Sequence, residues 1–325
     1  MQNVKKREAR VSMQTAFCLC LQDHIKIENG NNKTPKPWKA RMKASSASSL
    51  LILWSMFFLC VPVQQAGALQ ARVFPSKIQP GDAFMVMVSG LKSATGPTAL
   101  LNKEPLSFSI CGDGCYVAIA AVDLNSRPRT HRIVLRAGKQ KRVLRLRVLK
   151  GGFKTIHLTL PEEKVSPGEE DIERIEREAD LLKSIWEVAS ERLWEGDFVL
   201  PLENPFSTPF GTKRIINKEA VSIHQGLDMQ GEEGEGVKAS NRGRVVITEE
   251  LFFGGNTVVV DHGQGIFTVY MHLSGFNVSP GDLVEKNDLI GYVGSTGRSS
   301  GPHLHFGVKV AGINANPVAL TRLKL

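Results

Sequence analysis

The chain has 325 residues, of which 42% are hydrophobic and 22% charged, a composition that excludes an intrinsically disordered protein. The formal net charge is +9, but residues 1–68 contain ten of the 41 Lys and Arg residues and three of the 32 Asp and Glu residues. The rest of the chain, with 31 basic and 29 acidic residues, is nearly neutral. The charge therefore gives no support to a nucleic-acid-binding function, and we expect no nucleic-acid partner.

The N-terminal segment, residues 1–68, has the pattern of a targeting sequence. An apolar run of 14 residues, Leu50–Val63, follows four basic residues at positions 36–43 and precedes the small residues Ala66-Gly67-Ala68. This order is typical of a secretory signal peptide, and Met42 as the start of translation would give that peptide an ordinary length. A retained signal-anchor that ties the protein to the membrane is one alternative, and a buried core helix is another. Signal peptide and anchor both predict an exported protein of the periplasm or cell envelope.

Two of the five cysteines, Cys111 and Cys115, lie after this segment, in the stretch CGDGC. An exported protein meets oxidising conditions, and the intervening Gly-Asp-Gly can form a tight turn. We therefore predict a disulfide that closes a small loop. A metal site is disfavoured because two thiolates do not complete a tetrahedral shell.

Residues 69–152 are predicted to form a β-sandwich-like domain of the immunoglobulin-like kind. Short apolar or alternating runs at Ala83–Val88, Tyr116–Val122, His131–Ala137 and Val143–Leu149 are separated by turn signals. No cluster of titratable residues occurs in this region, which favours a positioning or binding module.

Residues 153–197 are predicted to be a linker that contains an amphipathic helix. Apolar residues from Ile172 to Leu193 recur mostly at spacings of three and four, and Pro167 is suited to the start of the helix. A linker helix packed on its neighbours is the preferred interpretation, and a coiled-coil-like partner surface is the alternative.

Residues 198–325 are rich in glycine and in short strand-like runs, and they contain three histidine clusters. These are His224-Gln-Gly-Leu-Asp228, Tyr270-Met-His272 and His303-Leu-His305. Residues two apart in a strand share a face, so His303 and His305 should face one cleft while Leu304 points into the core. Gly226 favours a turn that brings His224 and Asp228 around one ion. Each motif alone is weak evidence for a metal site, because histidine pairs also occur in ordinary strands.

The motifs between Pro209 and Leu320 resemble the lysostaphin-type (LytM-like) family of zinc metallopeptidases. The resemblance is carried by PFGTKR, HQGLD, GNTVVVDHGQGIFTVYMHL, PGDLVEKNDLIGYVGSTG and GPHLHFGV followed by Asn316-Pro317. It implies a mainly β fold: an N-terminal immunoglobulin-like domain, a linker helix and a β-rich peptidase domain with the duplicated hybrid motif of the family. It also implies a zinc endopeptidase that hydrolyses peptide cross-links of bacterial peptidoglycan.

Carried over residue by residue, the resemblance implies that His224, Asp228 and His305 bind Zn²⁺. His303 and His272 would be catalytic residues that assist a zinc-bound water, and the sequence does not tell which of them is the general base. Tyr270 is either an oxyanion contact or a packing aromatic residue. His262, in the turn DHGQG, is expected to be structural.

The resemblance leaves the substrate bond open between a D-alanyl–diaminopimelate cross-link and a glycine bridge. The N-terminal half and the lack of an obvious wall-binding domain after the peptidase favour the first. An alternative function is a non-catalytic activator of cell-wall hydrolases whose groove is occluded, for example by the predicted helix. Since such relatives have lost metal residues and this chain has none of those losses, the enzyme is the preferred hypothesis.

Overall fold

The computed structural model describes residues 69–91, 95–158, 168–188, 190–217 and 220–325, which belong to one compact unit. The predicted targeting sequence, its apolar run Leu50–Val63 and the proposed helix-start residue Pro167 lie outside these described residues. Within them, no helix is both long enough and apolar enough to cross a membrane.

The described residues up to 148 form two β-sheets that face one another. The strands are β1 (Gln70–Phe74), β2 (Lys77–Ile78), β3 (Ala83–Ser89), β4 (Thr98–Leu101), β5 (Glu104–Leu106), β6 (Ser109–Gly112), β7 (Cys115–Ala121), β8 (Arg129–Ala137) and β9 (Gln140–Val148). One sheet has the order β1-β3-β7-β6 and the other β2-β9-β8-β4-β5.

Alternation of side chains in these strands produces the core between the two sheets. In β8, for example, Ile133, Leu135 and Ala137 are buried, while Val134 and Arg136 between them are partly exposed and exposed at the other face. They share one hydrophobic cluster with Phe84 and Val86 of the opposite sheet. The predicted β-sandwich arrangement is present in this region, whereas the immunoglobulin-like topology and the domain boundaries stay predictions.

The disulfide predicted from CGDGC is present between Cys111 and Cys115. The bond closes the hairpin between β6 and β7, with Gly112 paired to Cys115. Gly114 in this turn has a φ of 61°, a left-handed conformation that glycine adopts without steric cost. The local sequence therefore supplied both the thiols and the turn that brings them together.

The second half of the described chain is also mainly β. Its strands are β10 (Thr155–Leu158), β11 (Phe206–Thr208), β12 (Lys213–Ile216), β13 (Ala220–Ile223), β14 (Gly226–Gln230), β15 (Gly236–Lys238), β16 (Gly243–Leu251), β17 (Gly255–Gly263), β18 (Ile266–Phe276), β19 (Leu283–Val284), β20 (Leu289–Val293), β21 (His303–Val310) and β22 (Ile313–Asn314). The main sheet has the order β11-β14-β21-β18-β17-β16-β19, with β15, β20 and β22 paired beside it. Strands β10, β12 and β13 form a separate small sheet.

The two helices of the described residues are α1 (Glu169–Trp186) and α2 (Pro317–Thr321). Three acidic residues in the first turn of α1 complement the partial positive charge of a helix N-terminus. The predicted helix is confirmed, but its extension to Leu193 is wrong. Leu193 and Trp194 donate their backbone N–H groups to the carbonyl of His262 at 2.8 and 3.1 Å, so tertiary hydrogen bonds hold this segment on the sheet.

The first sandwich packs directly against the second half of the chain. Met85, Val117 and Ile119 belong to the same hydrophobic cluster as Phe306 of β21 and Leu320 of α2. Asn316, which precedes α2, donates its side-chain amide to Asp82 Oδ1 at 2.9 Å and its backbone N–H to the carbonyl of Gly81 at 2.7 Å. These contacts hold the β3 end of the sandwich beside the main sheet.

Candidate metal centre

Strand β21 places two histidines on one face of the main sheet. Leu304 and Phe306, which alternate with His303 and His305, are fully buried in the core on the opposite face. The predicted arrangement of this strand is therefore present, because a regular strand turns alternate residues to opposite sides.

The neighbouring strand β14 brings Asp228 beside His305. The two residues are direct partners in the antiparallel register, and Asp228 Oδ1 lies 2.7 Å from His305 Nδ1. His224, which follows β13, completes the group: its Nε2 lies 3.0 Å from Asp228 Oδ1 and 3.1 Å from His305 Nδ1. All three side chains are at most 1% exposed.

Gly226 is in strand β14 and not in the turn that the sequence analysis expected. A Cβ atom at this position would lie 2.5 Å from His305 Nε2 and 2.8 Å from the carbonyl oxygen of Phe306. The glycine is therefore required by the close approach of the two strands beside the cluster.

The hydrogen bonds around the cluster leave lone pairs that point at one another. His224 Nδ1 donates to the carbonyl of Pro209 at 3.0 Å, so in the neutral ring Nε2 is an acceptor. His224 Nε2 faces Asp228 Oδ1, and a carboxylate oxygen also accepts hydrogen bonds. Ligands about 2.1 Å from a tetrahedral zinc lie about 3.4 Å apart, and the three atoms here are 2.7–3.1 Å apart, so a small outward shift would make room for the ion. A divalent cation fits this donor set, and the carbonyl of Pro209 would orient His224 for it.

The electrostatics of the cluster agree with a cation-binding role. Burial raises the pKa of the Asp228 carboxyl, but the neighbouring imidazoles of His224 and His305 lower it well below its ordinary value. Burial also lowers the pKa of His305, against the effect of Asp228. His305 Nε2 is buried with no hydrogen-bond partner in the described part of the chain. The carboxylate and the neutral imidazole are the protonation states that bind metals.

His303 stands beside the cluster as a fourth side chain. Its Nδ1 donates to the carbonyl of Gly301 at 2.8 Å, and its Nε2 lies 4.0 Å from Asp228 Oδ1. Ser299 Oγ lies 3.3 Å from the same Nδ1. The loop before β21 thus fixes the tautomer in which Nε2 carries a lone pair on the side of the cluster.

His272 reaches the site through an irregularity in strand β18. Between the pairs Val258–Tyr270 and Asn256–Leu273, β18 has one residue more than β17, which is a β-bulge. His272 has a φ of 64°, so its ring leaves the core face that Tyr270 and Leu273 occupy and lies 4.8 Å from the ring of His303, centroid to centroid.

Contacts with the following loop hold His272 in place. Its Nδ1 donates to the carbonyl of Thr296 at 2.9 Å, and its backbone N–H donates to Gly254 at 2.7 Å. Burial, and then the charges of His303 and His305, lower the pKa of His272 to about 3. The ring is therefore neutral at physiological pH.

A second buried polar cluster, centred on His262, lies on the opposite side of the same sheet. His262 Nδ1 donates to the carbonyl of Arg242 at 2.8 Å, so in the neutral ring Nε2 accepts from Thr268 Oγ1 at 2.7 Å. Thr268 Oγ1 bonds Tyr270 Oη at 2.9 Å, and Ser240 N donates to the same oxygen at 2.9 Å. Tyr270 is fully buried, packs on Phe306 and so takes the packing role of the two that the sequence analysis left open.

Arg214 is the site residue that the sequence analysis did not single out. Its guanidinium is 2% exposed, and Nη2 lies 3.7 Å from Asp228 Oδ2. The available signal was its place at the end of the motif PFGTKR, whereas its burial next to the exposed Lys213 is visible only in the structure.

Helix α1 covers the sheet face that carries the metal cluster. Trp186 packs edge-to-face on Phe267, with ring centroids 5.1 Å apart, and Glu178 accepts a hydrogen bond from the backbone of Phe252 at 2.7 Å. Between the helix and the sheet lies a cavity of about 490 Å³ that His305 borders. Its other apolar walls include Ile175, Ala179, Leu182, Val269 and Met271.

Comparison with known proteins gives the family of this region. Residues 222–317 match the model of Peptidase family M23. DD-carboxypeptidase/endopeptidase Mpg of Neisseria meningitidis is 38% identical over 114 residues, which cover 35% of this chain and 26% of Mpg. Peptidoglycan DD-endopeptidase ShyA of Vibrio cholerae is 41% identical over 112 residues, which cover 34% of this chain and 26% of ShyA. The chain thus spans about a quarter of the length of these curated relatives.

The fold comparison extends beyond the matched segment. A crystal structure from Pseudomonas aeruginosa that was assigned to peptidase M23 has 27% sequence identity and a TM-score of 0.57. The match covers 75% of this chain and 94% of that one. The predicted resemblance to lysostaphin-type peptidases is thereby confirmed, and so is the mainly β fold.

Proposed function

Because this chain carries a Peptidase family M23 domain, we propose that it is an exported, zinc-dependent endopeptidase that hydrolyses peptide cross-links of bacterial peptidoglycan. The observation that carries the proposal is the convergence of His224 Nε2, Asp228 Oδ1 and His305 Nδ1 within 3.1 Å of one another, in a domain whose relatives include a peptidoglycan DD-endopeptidase. These three residues would hold the metal.

The residues around the ligands would have separate tasks. When bound, Zn²⁺ supplies a Lewis acid that polarises a carbonyl and lowers the pKa of a coordinated water towards about 7. His303 presents Nε2 on the side of the ligands and can accept a proton there, since Gly301 holds its other nitrogen as the donor. His272, held by Thr296, borders the same space and would position the reacting groups beside His303.

The substrate that we favour is the D-alanyl–diaminopimelate cross-link. The names of the two relatives, a DD-carboxypeptidase/endopeptidase and a DD-endopeptidase, support a bond between D-amino acids more than a glycine bridge. Export follows from the same substrate, since peptidoglycan lies outside the cytoplasm.

The test is zinc content and cleavage of cross-linked muropeptide dimers by the full chain, beside its His305→Ala variant. We expect about one zinc per wild-type chain and conversion of dimers to monomers, and loss of both in the variant. Intact dimers after exhaustive digestion with the zinc-loaded protein would refute the enzymatic function.

One observation favours a second candidate, a non-catalytic activator of cell-wall hydrolases. Helix α1 packs on the sheet face of the metal cluster, and the five polar side chains there are at most 5% exposed. An occluded protein would bind zinc without cleaving dimers and would stimulate a separate hydrolase. Adding the zinc-loaded chain to such a hydrolase distinguishes the two functions, because a peptidase releases monomers without it.

A further inference from the structure

The cavity between α1 and the main sheet contains a lysine that the proposed catalytic chemistry does not use. Lys309 lies on β21 four residues after His305, so both side chains belong to the same face of the strand. At about 3.3 Å per residue, the two positions are about 13 Å apart along the strand. Both residues line the cavity, one at the metal cluster and the other further along the groove.

The surroundings of Lys309 are those of a cation that lacks a counter-ion. Its Nζ lies 5.4 Å from the centroid of the Trp186 ring, a cation–π contact with α1. Among the described residues, it forms no salt bridge within 4 Å. Burial lowers the pKa of Lys309 to about 8. Of the described carboxylates that line the same cavity, Glu178 is paired with Arg174, and neither it nor Asp180 forms a salt bridge with Lys309. Binding of an anionic group would restore the interactions that the ammonium loses on burial.

We propose that this cavity is a subsite for a peptidoglycan stem peptide and that Lys309 binds a free carboxylate of that peptide about 13 Å from the bond at the metal cluster. The inference rests on the proposed function and specifies its substrate. An extended peptide advances by about the same distance per residue as β21, so a chain that passes His305 comes beside Lys309 after about 13 Å. The apolar walls suit the aliphatic parts of such a peptide, and the ammonium complements its charge.

Helix α1 would then be part of the binding site. Trp186 forms one wall beside Lys309, while Ile175, Ala179 and Leu182 line the cavity along the helix. A segment predicted as a linker would thereby help to select the substrate.

The test is calorimetric binding to the full zinc-loaded chain. The probe is the tetrapeptide L-Ala-γ-D-Glu-meso-diaminopimelate-D-Ala, and its comparison peptide has both side carboxyls amidated. Neither peptide contains a cross-link, so binding is measured whether or not the protein is an endopeptidase. We expect Lys309→Met to weaken binding of the free peptide about tenfold and to leave the amidated peptide unchanged, because a charge-assisted hydrogen bond is lost.

Two further variants separate a specific contact from a general charge effect. Lys309→Arg keeps the cation and should retain the preference for the free peptide. Lys238→Met removes an exposed strand lysine outside the cavity and should bind as the wild type does. Unfolding by urea checks that each variant is folded.

Two results would overturn the subsite: wild-type protein that binds neither peptide measurably, or a Lys309→Met variant that loses equal affinity for both. Either result can occur while muropeptide dimers are still cleaved, in which case only the subsite is wrong. Conversely, Lys309-dependent binding by a protein that cleaves no dimers would support the subsite and refute the hydrolytic function.

Discussion

The buried cluster around His262 and the metal cluster around His305 differ in how their hydrogen-bond donors and acceptors are paired. Around His262, both ring nitrogens have partners, and Thr268, Tyr270 and Ser240 continue the chain of bonds. Around His305, acceptors face one another and Nε2 has no partner in the described part of the chain. Burial alone therefore does not distinguish a structural histidine from a functional one, whereas the pairing of donors with acceptors does.

The largest expected effect is on catalytic activity, and it should distinguish the metal cluster from the cluster around His262. His303→Ala should reduce cleavage of muropeptide dimers by about 10²–10⁴-fold, because a group that transfers protons contributes about this much. Its zinc content should stay that of the wild type, since His303 is not proposed as a ligand. Zinc analysis and initial rates on the same preparations check both points. Loss of zinc in this variant would show that His303 binds the metal and would contradict the assignment.

The His262 cluster should instead affect stability, in a pH-dependent way. Burial lowers the pKa of His262 to about 4 from an ordinary value of about 6.5, so the unfolded chain binds a proton more readily. The contribution of the neutral His262 ring to the free energy of unfolding is fully present above about pH 6.5. It decreases by about 3 kcal/mol as the pH falls towards 4.

Urea unfolding of the wild type and of His262→Gln between pH 4 and 7.5 measures this contribution. The difference between their free energies of unfolding should shrink as the pH falls, while zinc content at pH 7.5 stays equal. A difference that does not depend on pH would mean that His262 does not titrate as expected.

Arg214 should support the metal cluster through Asp228. Arg214→Met removes the guanidinium 3.7 Å from Asp228 Oδ2 and should weaken zinc affinity by about 10–100-fold, the usual cost of losing a residue that orients a ligand. Competition with a chelator gives the affinity. Arg214→Lys keeps the charge and should recover part of it. Unchanged zinc affinity in a folded Arg214→Met protein would limit Arg214 to a structural role.

The smallest expected effect comes from one added methyl group at Gly226, where β14 lies close to His305. Gly226→Ala would place a Cβ 2.5 Å from His305 Nε2, so the strands must separate at a cost of about 1–3 kcal/mol. We expect a lower free energy of unfolding together with weaker zinc binding. Gly275→Ala in β18 is a matched control, since its Cβ would meet no atom within 4 Å and its φ, like that of Gly226, is not positive. Wild-type zinc affinity in Gly226→Ala would argue against this tight contact.

The sequence predicted the elements whose pattern is local. The alternation in β21 placed His303 and His305 on one face, and the spacing of apolar residues predicted α1. CGDGC contained both the cysteines and the turn of the disulfide. The motifs between Pro209 and Leu320 identified the family, although the roles of the site residues remain proposals.

Features that depend on distant contacts required the tertiary structure. The alternation of a regular strand would place His272 on the core face with Tyr270. The bulge in β18, which its pairing with β17 sets, turns His272 towards His303 instead. Leu193 continues the helical spacing, but its hydrogen bond to His262 ends that pattern.

The sequence by itself determined which residues could form the site, because metal-binding and proton-transferring side chains are recognisable by type and local spacing. The tertiary structure decided which strands meet, and so placed Asp228 opposite His305, Arg214 behind it and Lys309 under Trp186. These are contacts between residues far apart in the chain. Their geometry follows from strand register and helix packing, which are properties of the whole fold.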